Sequence, residues 1–118
     1  MTKIRFGTDG WRATIAREFT VENVARVAEA SALWALKRDP EASVVIGHDC
    51  RFGGELFAET AARVFLHHKL KVYLAGNFAS TPMISLAAKQ LNTTLGVIIT
   101  ASHNPPGDNG YKLKGGYG

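Results

Sequence analysis

The sequence predicts an α/β domain with three layers, α/β/α, built around a mixed, mostly parallel sheet. Segments with apolar residues at helical spacing alternate along the chain with short runs of β-branched residues, which is the pattern of successive βα units. The run Leu95–Ile99 is apolar without alternation, as in a strand that is buried on both faces of a parallel sheet. Right-handed crossovers then place helices on both faces of the sheet.

The first predicted helix follows Thr20 and runs to about Arg38. Thr20 can cap this helix, and Phe19 can pack across the cap as a hydrophobic staple. Asp39-Pro40 ends it, because the residue before a proline disfavours the helical conformation. Trp34 falls within this helix and is expected to pack in the core or on a neighbouring domain.

Two further helices are predicted from their boundary residues. The second follows Gly53-Gly54 and closes near His67, where basic side chains suit the negative end of the helix dipole. The third has Thr81 as its cap and Pro82 as its first helical residue. The apolar positions on their buried faces include Leu56, Ala61, Val64 and Phe65 in the second helix, and Ile84, Ala87, Ala88 and Leu91 in the third.

Three short apolar runs are predicted as parallel strands: residues 43–47, Lys71–Leu74 and Leu95–Ile99. Asn109-Gly110 is a strong turn signal. It predicts that residues 111–113 return antiparallel, at or near an edge of the sheet.

Charge and composition favour a small anionic ligand. The 118 residues are enough for one domain with a core, and their net charge of +4 suits anions. The basic residues are scattered, with no run longer than Lys37-Arg38, and no nucleic-acid-binding signature accompanies them. Phosphate-bearing molecules are therefore expected, and nucleic acid is not.

A cytoplasmic protein with no membrane partner is expected. Cys50 is the single cysteine, which excludes a disulfide within the chain. No apolar run suits a secretion signal or a membrane span. The final residues, 115–118, look like the middle of a connection, so residues 1–118 are expected to be one domain of a larger protein.

The segment Thr100-Ala101-Ser102-His103-Asn104-Pro105-Pro106 carries the strongest functional signal. Ser102 comes just after a buried strand, and ligands bind at the carboxyl ends of strands in open α/β sheets. The two prolines fix φ angles, so the loop loses little entropy when it is held in one shape. The predicted turn then brings Lys112 back toward Ser102. Such a serine and lysine suggest a phosphoryl-transfer site.

Other interpretations of Ser102 are weaker. A loop or helix-capping serine needs none of the surrounding residues. A hydrolase triad needs a base that faces the serine and usually a Gly-x-Ser-x-Gly elbow, whereas His103 is adjacent and would normally point elsewhere.

Two other segments hold candidate residues. Residues 5–12 combine glycines, small polar residues and arginines, and Arg12 can offer a planar fork of donors to phosphate oxygens or form an ordinary surface salt bridge. In His48-Asp49-Cys50-Arg51, Asp49 can orient an arginine or cap the next helix, while no base is evident for the cysteine. His67-His68 is not expected to bind a metal, because neighbouring side chains on a helix diverge.

The order and spacing of three motifs resemble the α-D-phosphohexomutases, the phosphoglucomutase and phosphomannomutase family, over essentially the whole chain. The motifs are Phe6-Gly7-Thr8-Asp9-Gly10-Trp11-Arg12, Gly47-His48-Asp49-Cys50-Arg51, and Thr100-Ala101-Ser102-His103-Asn104-Pro105 with Asn109-Gly110-Tyr111-Lys112. Members of the family are four-domain enzymes that move a phosphoryl group between C1 and C6 of a hexose phosphate through a bisphosphorylated sugar. This chain resembles their first domain.

The resemblance implies roles for the matching residues. Ser102 is expected to be the phosphoserine, and its phosphate is expected to bind Mg²⁺. Arg12 and Lys112 are expected to surround the transferring group as catalytic residues, and Lys112 is a candidate to exchange a proton with the sugar hydroxyl. The residues expected to bind substrate or its phosphate are Thr8, Arg12, His103, Asn104 and Lys112.

The resemblance also implies what other domains would supply. The family's second domain carries an Asp-Gly-Asp-x-Asp motif for Mg²⁺, which does not occur in these 118 residues, and its third and fourth domains recognise the sugar. Mg²⁺ shared with another domain, a hexose 1,6-bisphosphate activator and an inactive isolated chain are therefore expected. Two alternatives stay open: a free-standing domain that binds a phosphosugar or protein without turnover, and a piece of a phosphoglucosamine mutase.

Overall fold

The computed structural model describes residues 4, 10–17, 19–49, 52–75, 79–100 and 107–115. Within these ranges the chain forms strands and helices that alternate as predicted. In chain order they are β1 (Trp11–Thr14), α1 (Val21–Arg38), β2 (Ser43–His48), α2 (Gly54–His67), β3 (Lys71–Leu74), α3 (Thr81–Leu91), β4 (Leu95–Ile99) and β5 (Asp108–Gly115).

The strands form one sheet in the order β1-β5-β4-β2-β3. Strand β2 pairs parallel with β3 and β4, and β5 runs antiparallel between β4 and β1. Helices α1 and α2 contribute to the larger core on one face, whereas α3 packs on β4 and β2 on the other. The predicted three-layer α/β/α class is confirmed.

Phe19 lies at the centre of the larger core and fixes the position of β1. Its side chain is fully buried, its ring stacks on Trp11 with 4.7 Å between centroids, and it meets Phe57 edge-on at 4.8 Å. Such aromatic pairs add to the free energy gained from burial alone. Because Trp11 is held in the core, the next side chain along β1, Arg12, projects to the opposite face of the sheet.

Helix α1 has the predicted boundaries, and its Trp34 does not lie in the core. Thr20 Oγ1 accepts a hydrogen bond from the backbone N–H of Asn23 at 3.2 Å, which caps the helix. Trp34 is 40% exposed, and the Arg38 guanidinium lies 4.2 Å from its ring centroid. The first of the two predicted positions of Trp34, in the core, is therefore wrong, and the ring makes a cation–π contact on the surface. The second, packing on a neighbouring domain, stays a prediction.

The predicted cap of α3 is wrong by one residue. Ser80 has an extended backbone and its Oγ accepts a hydrogen bond from the backbone N–H of Met83 at 3.3 Å, so Thr81 is already helical. Pro82 still fits, because the first turn of a helix has no partner for its backbone N–H groups. Two leucines that the sequence predicts on buried helix faces are exposed: Leu56 and Leu91.

Asn109-Gly110 is not a turn, although its sequence predicts one. Both residues lie inside β5 and pair with β1. Asn109 Oδ1 accepts a hydrogen bond from the Gly110 N–H at 2.8 Å, and its Nδ2 donates to the Phe52 carbonyl at 3.4 Å. Strand β5 therefore lies one strand in from the edge, and β1, which the sequence does not predict, forms the edge.

Tyr111 connects β5 to α1 through a buried chain of hydrogen bonds. Its hydroxyl donates to Ser31 Oγ at 3.0 Å, and Ser31 Oγ donates to the Val27 carbonyl at 2.8 Å. Burial raises the pKa of the Tyr111 phenol well above its ordinary value, and the hydrogen bond to Ser31 opposes part of that shift. The neutral phenol is thus the form that the folded chain holds.

Tyr111→Phe is expected to lower the free energy of unfolding at pH 7 by about 1 kcal/mol, because one buried hydrogen bond is lost. Since the pKa is raised on folding, the contribution of Tyr111 is fully present below about pH 10 and is lost as pH rises further. Urea unfolding of both proteins from pH 7 to 11 checks this. The wild-type advantage should shrink above pH 10; a constant difference would contradict the assignment.

Candidate functional site

The carboxyl ends of β2 and β4 lie side by side, and β5 begins beside them. The backbone N–H of Asp49, just after β2, donates to the Ile99 carbonyl at 3.2 Å. On the other side, the Thr100 N–H donates to the Gly110 carbonyl of β5 at 2.9 Å. This edge of the sheet is where ligands bind in open α/β folds.

A side-chain hydrogen bond joins the same two strand ends. Thr100 Oγ1 donates to Asp49 Oδ2, and Thr100 is buried while Asp49 is half-buried. A carboxylate acceptor makes such a bond stronger than one between neutral groups. The sequence shows Thr100 only as part of a motif. In the structure, its side chain links the ends of β2 and β4.

His48 is the last residue of β2 and is buried at the same edge of the sheet. Its side chain is 8% exposed, and its Nδ1 lies 2.8 Å from the backbone carbonyl oxygen of Asp49. A carbonyl oxygen only accepts, so Nδ1 carries the proton of this bond. A Cβ added at Gly54 would lie 3.1 Å from both that oxygen and His48 Nδ1, which shows how closely the start of α2 packs here.

Arg12 and Lys112 project from the same face of the sheet. Arg12 pairs with Gly110 across the β1–β5 ladder, and Gly110 and Lys112 share a face because side chains alternate along a strand. The two residues are therefore diagonal cross-strand neighbours, whose Cα atoms lie about 7–8 Å apart. Both side chains are half-buried. The structure thus places Arg12 and Lys112 on one face of the sheet, and their roles around a transferring group stay predictions.

Two glycines make this arrangement possible. A Cβ at Gly110 would lie 2.5 Å from the Thr100 carbonyl oxygen, 2.8 Å from that of Trp11 and 3.0 Å from Arg12 Cγ. Gly10 has a φ of 95°, and its Cβ would lie 3.1 Å from Lys112 Cα. Arg12 thus lies opposite Gly110, and Lys112 lies opposite Gly10. Because glycine has no side chain, neither cation meets a side chain directly across from it on the neighbouring strand.

Lys114 lies on the same face of the sheet as Lys112, two residues further along β5 and further from the carboxyl end of β4. It pairs with Gly96 of β4, and it is half-buried. Arg12, Lys112 and Lys114 form a row of positive charge, which we call the cationic face. Such a face attracts anions.

Several predicted site residues fall outside the described ranges. Their roles stay predictions. They are Thr8, Cys50, Arg51, Ser102, His103 and Asn104.

The described part of the chain contains neither a metal-binding cluster nor a membrane-spanning helix. No three His, Cys, Asp or Glu side chains within it are grouped so that they could hold a metal ion. His67 and His68 contact each other edge-on with 5.4 Å between ring centroids, and His68 Nε2 lies 3.3 Å from Glu29 Oε1. No helix within the same ranges is long and apolar enough to cross a membrane.

The structure is an α/β/α domain with a cationic face on its sheet. Residues 3–118 match the family described as phosphoglucomutase/phosphomannomutase, alpha/beta/alpha domain I. This chain belongs to that family.

Individual relatives agree with this membership. The chain is 43% identical over 98% of its length to a protein named probable phosphoribomutase in Schizosaccharomyces pombe, and 38% identical over 99% to a phosphoglucomutase of Staphylococcus aureus. A crystal structure of a protein assigned as a phosphomannomutase in Thermus thermophilus superposes over 96% of the chain with a TM-score of 0.92 and 42% identity. The chain spans only 21% and 22% of the two sequence relatives and 26% of the crystallised one.

Gly110→Ala is expected to lower the free energy of unfolding by about 1–3 kcal/mol, because its Cβ would press on two backbone carbonyls that cannot move independently. Gly107→Ala is the matched control, since a Cβ there meets nothing within 4 Å. Urea unfolding measures both. Equal midpoints for the two variants would show that the strands do not pack this closely at Gly110.

Proposed function

We propose that this chain is the phosphoserine-bearing domain of an enzyme that interconverts hexose 1-phosphate and hexose 6-phosphate through a bisphosphorylated sugar. The observation that carries the proposal is the placement of Arg12 and Lys112 as diagonal neighbours on one face of the sheet. That face borders the end of β4, and Ser102 follows β4 by three residues in the sequence. Family membership supports the same reaction class.

Arg12 and Lys112 suit the charge of a transferring phosphoryl group. This group carries negative charge on its three equatorial oxygens, and catalysis depends mainly on positioning and neutralising it. The Arg12 guanidinium can bind two phosphate oxygens in a planar fork. Lys112 lies at a diagonal position on the same face and adds a compact positive charge when it is protonated.

The proposed reaction consists of two transfers. In the first, the bond between phosphorus and the Ser102 oxygen breaks, and a bond forms between phosphorus and a sugar hydroxyl oxygen. The hydroxyl proton passes through the Lys112 amine to the serine oxygen, and the amine is cationic while it holds that proton. In the second transfer, the other phosphate of the sugar bisphosphate returns its phosphoryl group to Ser102 by the reverse steps.

Mg²⁺ and sugar recognition are assigned to other parts of the enzyme. Mg²⁺, when bound, would neutralise charge on the serine phosphate. The described residues provide no group of three His, Cys, Asp or Glu side chains that could hold it. Since the chain covers about a fifth of its sequence relatives, we propose that further domains hold Mg²⁺ and the sugar, and that the isolated chain is inactive.

A pentose phosphate is the second candidate substrate. The supporting observation is the 43% identity to the protein named probable phosphoribomutase. The cationic face binds the phosphate rather than the sugar ring, so it accommodates either substrate. Assays of the full-length protein with glucose 1-phosphate, mannose 1-phosphate and ribose 1-phosphate distinguish them.

Lys112→Met in the full-length protein is expected to lower kcat about a hundredfold or more and to change KM much less, because the lysine acts mainly on the transferring group. Lys114→Met is the matched control, since it removes the same charge from the same face two residues further along β5. Coupled mutase assays measure both variants. Equal kcat values for the two variants would remove Lys112 from the mechanism. A full-length wild-type protein without mutase activity would favour a binding domain without turnover.

A further inference from the structure

Thr100 is held to its two neighbouring strands at the point where β4 ends. Its backbone N–H bonds β5 through the Gly110 carbonyl at 2.9 Å. Its side-chain hydroxyl donates a hydrogen bond to the carboxylate of Asp49, the residue just after β2. Thr100 is 5% exposed, so little water reaches these bonds. The last described residue before Ser102 is thus attached on both sides.

Asp49 makes two hydrogen bonds to the end of β4. Its N–H donates to the Ile99 carbonyl at 3.2 Å, and its carboxylate accepts from Thr100. The regular β2–β4 ladder ends at the pair His48–Ile99, so Asp49 extends the connection beyond the ladder. A main-chain bond and a side-chain bond to adjacent residues restrict both translation and rotation of the end of β4.

We infer that the hydrogen bond between Thr100 and Asp49 is a positioning contact for phosphoryl transfer, and that both are positioning residues for Ser102. The inference rests on the proposed function for its catalytic consequence. The bond sets the direction in which the chain leaves β4, two residues before the serine. Reaction rates depend steeply on such placement, since a displacement of about 1 Å can cost a hundredfold.

A second buried threonine in the chain offers a matched control. Thr93 is 2% exposed and lies just before β4, at the opposite end from Thr100. Its hydroxyl donates to the Leu95 carbonyl at 2.9 Å. Thr93→Val and Thr100→Val therefore each remove one buried hydroxyl bond with nearly the same change in side-chain shape. The two substitutions differ in which end of the strand they affect.

The test is steady-state kinetics of the full-length protein with its best sugar phosphate. Thr100→Val is expected to lower kcat about tenfold to a hundredfold with little change in KM. Thr100→Ser, which keeps the hydroxyl, should recover most of this loss. Thr93→Val should have nearly wild-type kcat, although its thermal midpoint also falls. Equal kcat values for Thr93→Val and Thr100→Val would overturn the inference.

A double-mutant cycle tests the specific partner. Asp49→Ala should lower kcat, and adding Thr100→Val to it should cause little further loss, because both substitutions remove the same contact. Fully additive losses would show that the two residues act separately and would overturn the assignment of Asp49.

Hydrogen exchange separates this inference from the proposed function. Backbone amides at residues 101–104 should exchange faster in Thr100→Val than in wild type and in Thr93→Val. This result would support the positioning contact even if the full-length protein proved inactive as a mutase. Unchanged exchange in Thr100→Val would contradict the contact whatever the activity.

Discussion

The close packing of β5 between β4 and β1 is the constraint on which the rest of the site depends. This strand brings Lys112 beside Arg12, and its Gly110 carbonyl accepts the backbone bond of Thr100. The approach at Gly110 leaves no room for a Cβ. On the opposite face of the same strand, the Tyr111 hydroxyl bonds Ser31 of α1. One strand thus connects the cationic face, the strand end that leads to Ser102, and the core.

The core and the site are coupled through strand alternation. Trp11 and Tyr111 are buried on the face covered by α1, whereas Arg12 and Lys112 follow them directly and therefore face the other way. Burial of the aromatic rings sets the register of β1 and β5, because a shift by one residue would exchange the buried and the cationic sides. The positions of the two cations are therefore a consequence of hydrophobic packing rather than of any contact between them.

The sequence predicts the parallel part of this fold well and the antiparallel part poorly. Leu95–Ile99 has the predicted bounds and is buried throughout, since a short apolar run between helices is typical of a buried parallel strand. Lys71–Leu74 also has the predicted bounds, although it is a partly exposed edge strand. The strand Trp11–Thr14 has only four residues, and its pairing with β5 is not encoded locally. Asn109-Gly110 follows a common turn pattern, but Asn109 uses its side chain inside a strand. At the site, motifs indicate Arg12 and Lys112, whereas the bond between Thr100 and Asp49 joins residues 51 apart in the sequence and needs the fold.

The central claim is that Ser102 carries the transferred phosphoryl group, and covalent labelling tests it most directly. The full-length protein is incubated with Mg²⁺ and radiolabelled glucose 1,6-bisphosphate, and the labelled peptide is mapped by mass spectrometry. We expect one phosphate on Ser102, which is discharged when unlabelled glucose 1-phosphate or ribose 1-phosphate is added. A label on another residue, or a label on Ser102 that no sugar phosphate removes, would contradict the account.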